Sequence, residues 1–422
     1  MAQRGIREYH GKRMLAKYMP EKLGGSWVYT GEIALVDENT DWDALVKEHP
    51  WLKEKPLVAK PDQLFGKRGK HGLLLVNKNL DETKKWIKER MNKETTVGKI
   101  SDTLTHFIIE PFVKHDEEYY LAIKSSVAGD TVYFSTKGGM DIESVWDTVV
   151  EIEVPANESI ENIDIEKRLP AEVKGEKRQA VAKFIKALFA FYTELHYAYL
   201  EINPFAMSGT DIYPLDLVAR LDDTAHYECL DKWGKDIEFP APFGRKMSKE
   251  ELYVKSLDEK TGASLKLTIL NPDGRIWLLI AGGGASVIYT DTVADMGFAD
   301  DLANYGEYSG DPNTELTYEY TKTVLDLMTR KKHPKGKVLL IGGGIANFTD
   351  VANTFTGIIQ ALKEHKDKLK EHNVKIYVRR GGPNYKEGLR KMRELGETLG
   401  VPIEVYGPEA HMTNIVRLAL AN

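Results

Sequence analysis

Leu200-Glu201-Ile202-Asn203-Pro204 and, beyond a turn at Ser208-Gly209-Thr210-Asp211, Leu215-Asp216-Leu217 are the most informative stretch of this chain. Tyr197–Asn203 and Ile212–Ala219 read as the two strands of a hairpin about that turn. Asn203 and Asp216 then fall nearly opposite each other. Ile202, Leu215 and Leu217 are apolar, so the two polar side chains share the other face. Two hard oxygen donors suit Mg²⁺, which favours octahedral oxygen coordination completed by phosphate oxygens. A polar cross-strand pair facing water has the same pattern, so the neighbouring segments must decide.

Upstream, residues 177–199 read as helix, with Val181, Phe184, Ile185, Leu188, Tyr192 and Leu195 at helical spacing. Strand-like runs are Leu57–Lys60, Gly72–Val76, Phe107–Val113, Tyr119–Lys124 and Thr131–Ser135. Lys60 closes the first of these, and Pro61 stops it. A lone lysine at a strand edge is more often a solvated surface charge. Here it precedes Phe65-Gly66-Lys67-Arg68-Gly69-Lys70-His71-Gly72, a basic, glycine-spaced loop. Glycines let backbone amides approach an anion, and Lys60 and Arg68 can stabilise charge on a transferring phosphoryl group; an exposed hairpin tip reads the same way. Ile108-Ile109-Glu110-Pro111-Phe112-Val113 reads as an adenine hinge, in which Pro111 offers a carbonyl and Val113 an amide on one edge. Glu118 can accept from ribose hydroxyls.

Downstream, Glu238-Phe-Pro-Ala-Pro-Phe-Gly244 breaks all regular structure, which sets a domain boundary between residues 1–243 and 244–422. After a short hairpin over Asn271-Pro272-Asp273-Gly274, strands and helices alternate. Ile276–Ile280 precedes a helix near 286–296, Val338–Ile341 one at 350–365, Ile376–Arg379 one at 385–399, and Ile403–Tyr406 one at 409–420. This alternation predicts an α/β doubly wound parallel sheet with ligands at the carboxyl ends of its strands. Leu278-Leu-Ile-Ala-Gly-Gly-Gly284 and Leu339-Leu-Ile-Gly-Gly-Gly344 echo each other as strand–turn–helix units. Neither matches G-x-G-x-x-G, and Arg379 and Arg380 stand where a dinucleotide fold needs an acid, which excludes NAD. Gly282-Gly283-Gly284, the loop with Glu307-Tyr308-Ser309-Gly310, the run Gly342 to Thr349 and the run Arg379 to Asn384 all stand where strands end, placed to hold a molecule with several carboxylates.

The 422 residues carry net charge −6, 42% hydrophobic and 29% charged residues, and one cysteine, Cys229. The acidic balance argues against nucleic acid as a partner. One cysteine excludes an internal disulfide and Cys-rich metal sites. Apolar runs are too short for a membrane span, and residues 1–20 lack a signal-peptide core. Ile6, Tyr9 and Leu15 there suit a short amphipathic element. A cytoplasmic protein without a transit peptide is expected.

In order, Lys60, the basic loop, the Glu110–Val113 hinge, Glu118, Asn203 and Asp216 resemble the ATP-grasp fold of two α+β lobes. Along nearly the whole chain the sequence is similar to ATP-citrate lyase, to its A subunit in the two-chain form. The resemblance is carried by His49-Pro-Trp-Leu52, Val58-Ala-Lys-Pro-Asp-Gln63, Tyr199-Leu-Glu-Ile-Asn-Pro204, Gly262-Ala-Ser-Leu-Lys-Leu-Thr268, Asn304-Tyr-Gly-Glu-Tyr-Ser-Gly310, Ile345-Ala-Asn-Phe-Thr349 and Arg379-Arg-Gly-Gly-Pro-Asn-Tyr385. It implies an ATP-grasp domain followed by a flavodoxin-like citrate-binding domain. It further implies ATP contacts at Lys60, Arg68, Gly69, Pro111, Val113 and Glu118, and magnesium at Asn203 and Asp216. A second cation site is implied at Asp258, Thr261 and Ala263, and citrate contacts at Ser309, Gly310, Asn347, Phe348, Thr349 and Arg380. Lys67 stands where the family often has arginine. The family's phosphoryl-accepting histidine lies in Gly-His-Ala-Gly-Ala, a context that none of the eleven histidines has. The resemblance assigns that histidine, the coenzyme A site and the cleavage domain to a separate B subunit in a hetero-oligomer. The alternatives are the nucleotide-binding beta subunit of an acid–CoA ligase such as succinyl-CoA synthetase, and a non-catalytic carboxylate sensor.

Overall fold

The computed structural model describes residues 3–139 and 142–421, apart from the side chain of Glu143. The chain divides into two compact units, Met1–Lys246 and Met247–Asn422.

The first unit has two lobes. In the larger, an antiparallel sheet runs in the order Gln3–Ile6, Leu217–Asp222, Tyr197–Ser208, Glu117–Ser125, Gly129–Ser135 and Val150–Pro155, with Asp211–Pro214 paired to Tyr197–Ser208. Helices Glu8–Leu23 and Gly175–Glu194 bury their apolar faces in its core. All six periodic residues expected in the second helix are at most 2% exposed. That helix ends sooner than its pattern does. His196 takes positive φ, and Tyr197 and Tyr199 pair with Leu221 and Arg220 as strand. The smaller lobe is a four-stranded antiparallel sheet in the order Ala34–Val36, Phe107–Pro111, Leu57–Pro61 and Leu75–Lys78. Its fourth strand starts three residues later than expected, because Gly69–His71 forms a tight helical turn closed by Gly72 in the left-handed region.

The second unit is a six-stranded sheet in the order Ser264–Ile269, Asn304–Ser309, Ile276–Ala281, Lys337–Gly343, Val374–Arg379 and Ile403–Tyr406. The last five strands are parallel and the first is an antiparallel edge. Numbering the parallel strands along the chain gives the flavodoxin-like order 2-1-3-4-5, whose switch point lies between Ile276–Ala281 and Lys337–Gly343.

Two expectations are corrected here. The turn at Asn271–Gly274 exists, but the strands around it do not form a hairpin, because Asn304–Ser309 inserts between them. Glu307 to Ser309 is therefore strand, not loop. Its interior-facing residues Asn304, Gly306 and Tyr308 are not aliphatic, so hydrophobic alternation could not show it. Asn304 continues the ladder with its side chain, bonding the amide and carbonyl of Leu278 at 2.8 and 2.9 Å. A Cβ at Gly306 would lie 2.2 Å from the Lys266 carbonyl, so only glycine fits. Smaller differences concern helix ends. Gly283 and Gly284 already belong to helix Gly283–Val293, and the last helix is Asn414–Leu420.

Candidate functional site

Lys60, Arg68, Gly69, Pro111, Val113, Glu118, Asn203 and Asp216 all line one cavity of about 820 Å³ in the first unit. The expected second strand is broken at Leu215–Asp216, which frees Asp216 to face this cavity. The Asn203 amide N–H still donates to the Asp216 carbonyl at 3.0 Å, so the two are opposite, as their spacing predicts. The Lys60 ammonium donates to Asp216 Oδ1 at 2.9 Å, and Arg68 donates to the same oxygen. Asn203 Oδ1 accepts from Gly139 N at 2.7 Å. Leu74, Val76 and Val218 expose about two-fifths of their surface in the cavity wall, a lining suited to a flat base.

Hydrogen bonds tie the hinge to Glu118. His115 Nδ1 lies 2.9 Å from the Val113 carbonyl and Nε2 lies 2.9 Å from Glu118 Oε1. Burial opposes charge on this ring, but the Glu118 carboxylate and the Val113 carbonyl prevail and raise its pKa from the ordinary value.

Sequence reasoning misses Glu8 and Lys12, which lie within the short amphipathic element marked by Ile6, Tyr9 and Leu15. On helix Glu8–Leu23 they are one turn apart and buried. Glu8 is paired with Lys12 at 3.0 Å, Lys60 at 2.7 Å and Arg68 at 2.8 Å. Lys12 donates to both oxygens of Glu110, at 2.8 and 2.7 Å, and to the Leu215 carbonyl at 2.9 Å. The available signal was the pair of opposite charges four residues apart in an otherwise apolar stripe. Burial would push the Glu8 carboxyl up, yet Lys60, Lys12 and Arg68 hold it well below the ordinary carboxylate range. A depressed acid stabilises the fold above its unfolded pKa of about 4.3, and that contribution disappears as pH falls through the folded value. Acid unfolding followed by circular dichroism should therefore be shallower below about pH 4 for Glu8→Gln than for the natural chain. Superimposable acid limbs would refute this assignment.

In the second unit the candidate carboxylate-binding residues stand at the carboxyl ends of three parallel strands of the one sheet. Ser309 ends its strand, and Gly310 follows with φ +72°. Asn347, Phe348 and Thr349 precede helix Val351–Glu364, whose first turn is capped by Asp350. Three contacts gather the loops. Asp350 N donates to Asp311 Oδ1 at 3.4 Å, Asn384 Nδ2 to Asp350 Oδ2 at 2.7 Å, and Ala346 N to the Gly381 carbonyl at 2.9 Å. Phe348 is 67% exposed, while Thr349 and Arg380 are buried.

The two arginines differ in their hydrogen bonding. Arg379 donates to the carbonyls of Ala410, Gly343 and Pro408, and is consumed by the fold. Arg380 donates Nη1 to the Gly344 carbonyl at 2.7 Å, and its Nε is buried without a partner among the described residues. The Tyr308 hydroxyl is likewise buried and has no partner among the described residues. Buried donors are nearly always satisfied, so these fit a polar ligand. Asp258 and Thr261 lie where helix Lys249–Asp258 ends, and Ala263 follows in the loop. The Asp258 carboxylate accepts from Leu265 N at 2.7 Å and pairs with Lys266.

An antiparallel two-lobed unit around a cation-lined cavity is thus followed by a flavodoxin-like unit whose candidate carboxylate-binding residues stand at the ends of its strands. Residues 2–233 match the family described as the ATP-citrate synthase ATP-grasp domain, and residues 245–422 the family described as ATP citrate lyase citrate-binding. The chain is 50% identical to ATP-citrate synthase alpha chain protein 2 of Oryza sativa subsp. japonica, covering all of this chain and 98% of that one. It is also 50% identical to ATP-citrate synthase of Bos taurus, of whose length it spans 39%. A solved structure of ATP citrate lyase from Methanothrix soehngenii, in complex with citrate and coenzyme A, superposes with a TM-score of 0.87 at 56% identity, with both chains fully covered. The chain belongs to the ATP-citrate synthase family, which favours the citrate reading over the acid–CoA ligase one.

Proposed function

We propose that this chain is the ATP- and citrate-binding subunit of an ATP-citrate lyase, and that it activates citrate by phosphoryl transfer. The observation that carries the reading is the convergence of Lys60, Arg68, Asn203 and Asp216 on one cavity beside the Pro111–Val113 hinge. In this reading Pro111 and Val113 take the adenine edge, Glu118 takes the ribose, and Gly69 lets the backbone approach phosphate. Lys60 and Arg68 neutralise charge as the γ-phosphoryl group leaves ADP.

The donor set fits magnesium. Asn203 and Asp216 offer hard oxygens, and among the described residues no group of three acidic, histidine or cysteine side chains could hold a metal unaided. Nucleotide oxygens would complete such a site. Bound there, the cation would offset phosphate charge. Asp258, Thr261 and Ala263 are retained as the proposed second cation site.

The phosphoryl acceptor is a histidine of a B subunit, whose imidazole nitrogen bonds to phosphorus as the bond to ADP breaks. Citrate is held by Arg380, Asn347 and Thr349, with Phe348 and the Ser309–Gly310 turn closing round it. A citrate carboxylate oxygen then takes the phosphoryl group and frees the histidine, giving citryl phosphate. Coenzyme A displaces phosphate to form citryl-CoA, and cleavage gives acetyl-CoA and oxaloacetate; both of these steps belong to the partner. This chain supplies positioning and charge and no covalent nucleophile. We place the domain boundary near residue 243 and the subunit in the cytoplasm. No helix among the described residues is long and apolar enough to cross a membrane.

Calorimetric titration of the purified chain with citrate, succinate and malate tests the proposal. Citrate is expected to bind at least tenfold more tightly than either, since each missing carboxylate forfeits a charged hydrogen bond of about 1.5–3 kcal/mol. Preference for succinate would restore the acid–CoA ligase reading.

A further inference from the structure

We propose that Glu8 and Lys12 are positioning residues that set the charge of the nucleotide cavity from behind its wall, Glu8 through Lys60 and Arg68, and Lys12 through Glu110. This rests on the reading of that cavity as the nucleotide site. The wall itself includes Lys60, Arg68, Glu110 and Asp216, whereas Glu8 and Lys12 stand one layer back, 4% and 0% exposed. Together the six side chains form one ion-pair network of three cations and three carboxylates.

The pair is held rigidly. The amides of Glu8 and Tyr9 donate to the Asp62 carboxylate at 2.8 and 3.1 Å, and Arg7 donates to the Asp62 carbonyl at 2.7 Å. The strand before the helix pairs with Leu217–Asp222, next to Asp216. One helix face thus fixes both the phosphate-facing cations and the carboxylate before the adenine hinge.

Charge neutrality has a consequence for anion affinity. Asp216 shares one oxygen between Lys60 and Arg68, so a cation drawn to Asp216 releases both. Glu8 then remains as their fixed counter-ion. Removing a buried charge in a low-dielectric site shifts the potential at the cavity by several RT, in a direction given by its sign. A purely structural ion pair has no such sign, because its loss weakens every ligand alike.

The test is calorimetric titration of the full chain with MgATP and with adenosine, alongside Tm. Glu8→Gln is expected to tighten MgATP about tenfold and Lys12→Met to weaken it about tenfold. The double variant should return to within about threefold of the natural chain. Adenosine, being uncharged, should bind all four alike. Parallel weakening of both ligands in both single variants, with the double weaker still, would overturn the proposal while leaving the nucleotide reading intact. A natural chain that binds neither ligand would remove both. Should a single variant not fold, the charge-balanced double variant and Glu8→Asp decide. MgATP affinity within threefold of the natural chain supports the proposal, and a loss beyond tenfold in either overturns it.

Discussion

Replacing Arg380 with alanine is expected to lower citrate affinity at least a hundredfold, about 3 kcal/mol, while MgATP affinity stays within twofold. The guanidinium is buried at the end of strand Val374–Arg379 and, among the described residues, spends one hydrogen bond, on the Gly344 carbonyl. Its remaining donors form a planar fork of the kind that takes a carboxylate through two parallel bonds. Arg380→Lys keeps the charge but not the fork, so an intermediate loss of about tenfold is expected. Calorimetry with both ligands separates this from general damage. Unaltered citrate binding in Arg380→Ala would remove the carboxylate site from the strand ends.

For Asp216→Ala the expected result is loss of the magnesium dependence of ATP binding. The natural chain should bind ATP at least a hundredfold more tightly with magnesium than in excess chelator, and the variant nearly equally in both. Asp216 also restrains Lys60 and Arg68, so its removal leaves two cations without that counter-charge and should not weaken magnesium-free binding. Magnesium dependence that persists in the variant would move the cation away from Asp216. It would also revive the sensor reading, since a scaffold has no need of that carboxylate.

The two units were legible in the sequence to different degrees. Helix Gly175–Glu194 and four of the five parallel strands are written in hydrophobic pattern, and their positions differ from that pattern only at the ends. Strand Asn304–Ser309 is not so written. Its buried positions are asparagine, glycine and tyrosine, chosen by a side-chain ladder and close backbone approach, and neither registers as hydrophobic alternation. Within the nucleotide cavity, Asn203 and Asp216 could be paired because a short turn fixes their register. Glu8 and Lys12 could not, since what joins them to Lys60 and Glu110 is tertiary packing across fifty to a hundred residues. By residue type Arg379 and Arg380 are equivalent in sequence, and strand alternation sends one to the carbonyls of Gly343, Pro408 and Ala410 and the other to the Gly344 carbonyl, beside the candidate carboxylate-binding residues.

The pairing of Gln3–Ile6 with Leu217–Asp222 has a consequence for how the chain comes to be folded. The strand that precedes the amino-terminal helix finds its partner only after roughly two hundred residues have been made, a loop whose closure is entropically expensive. On a ribosome that strand and the helix after it therefore wait, with Lys12 and Glu8 short of their partners, until the last strand of the same sheet arrives. Val218 and Arg220 of the cavity wall lie on that last strand, so a chain ending before Leu217 is expected to bind MgATP more weakly than the full chain in calorimetric titration.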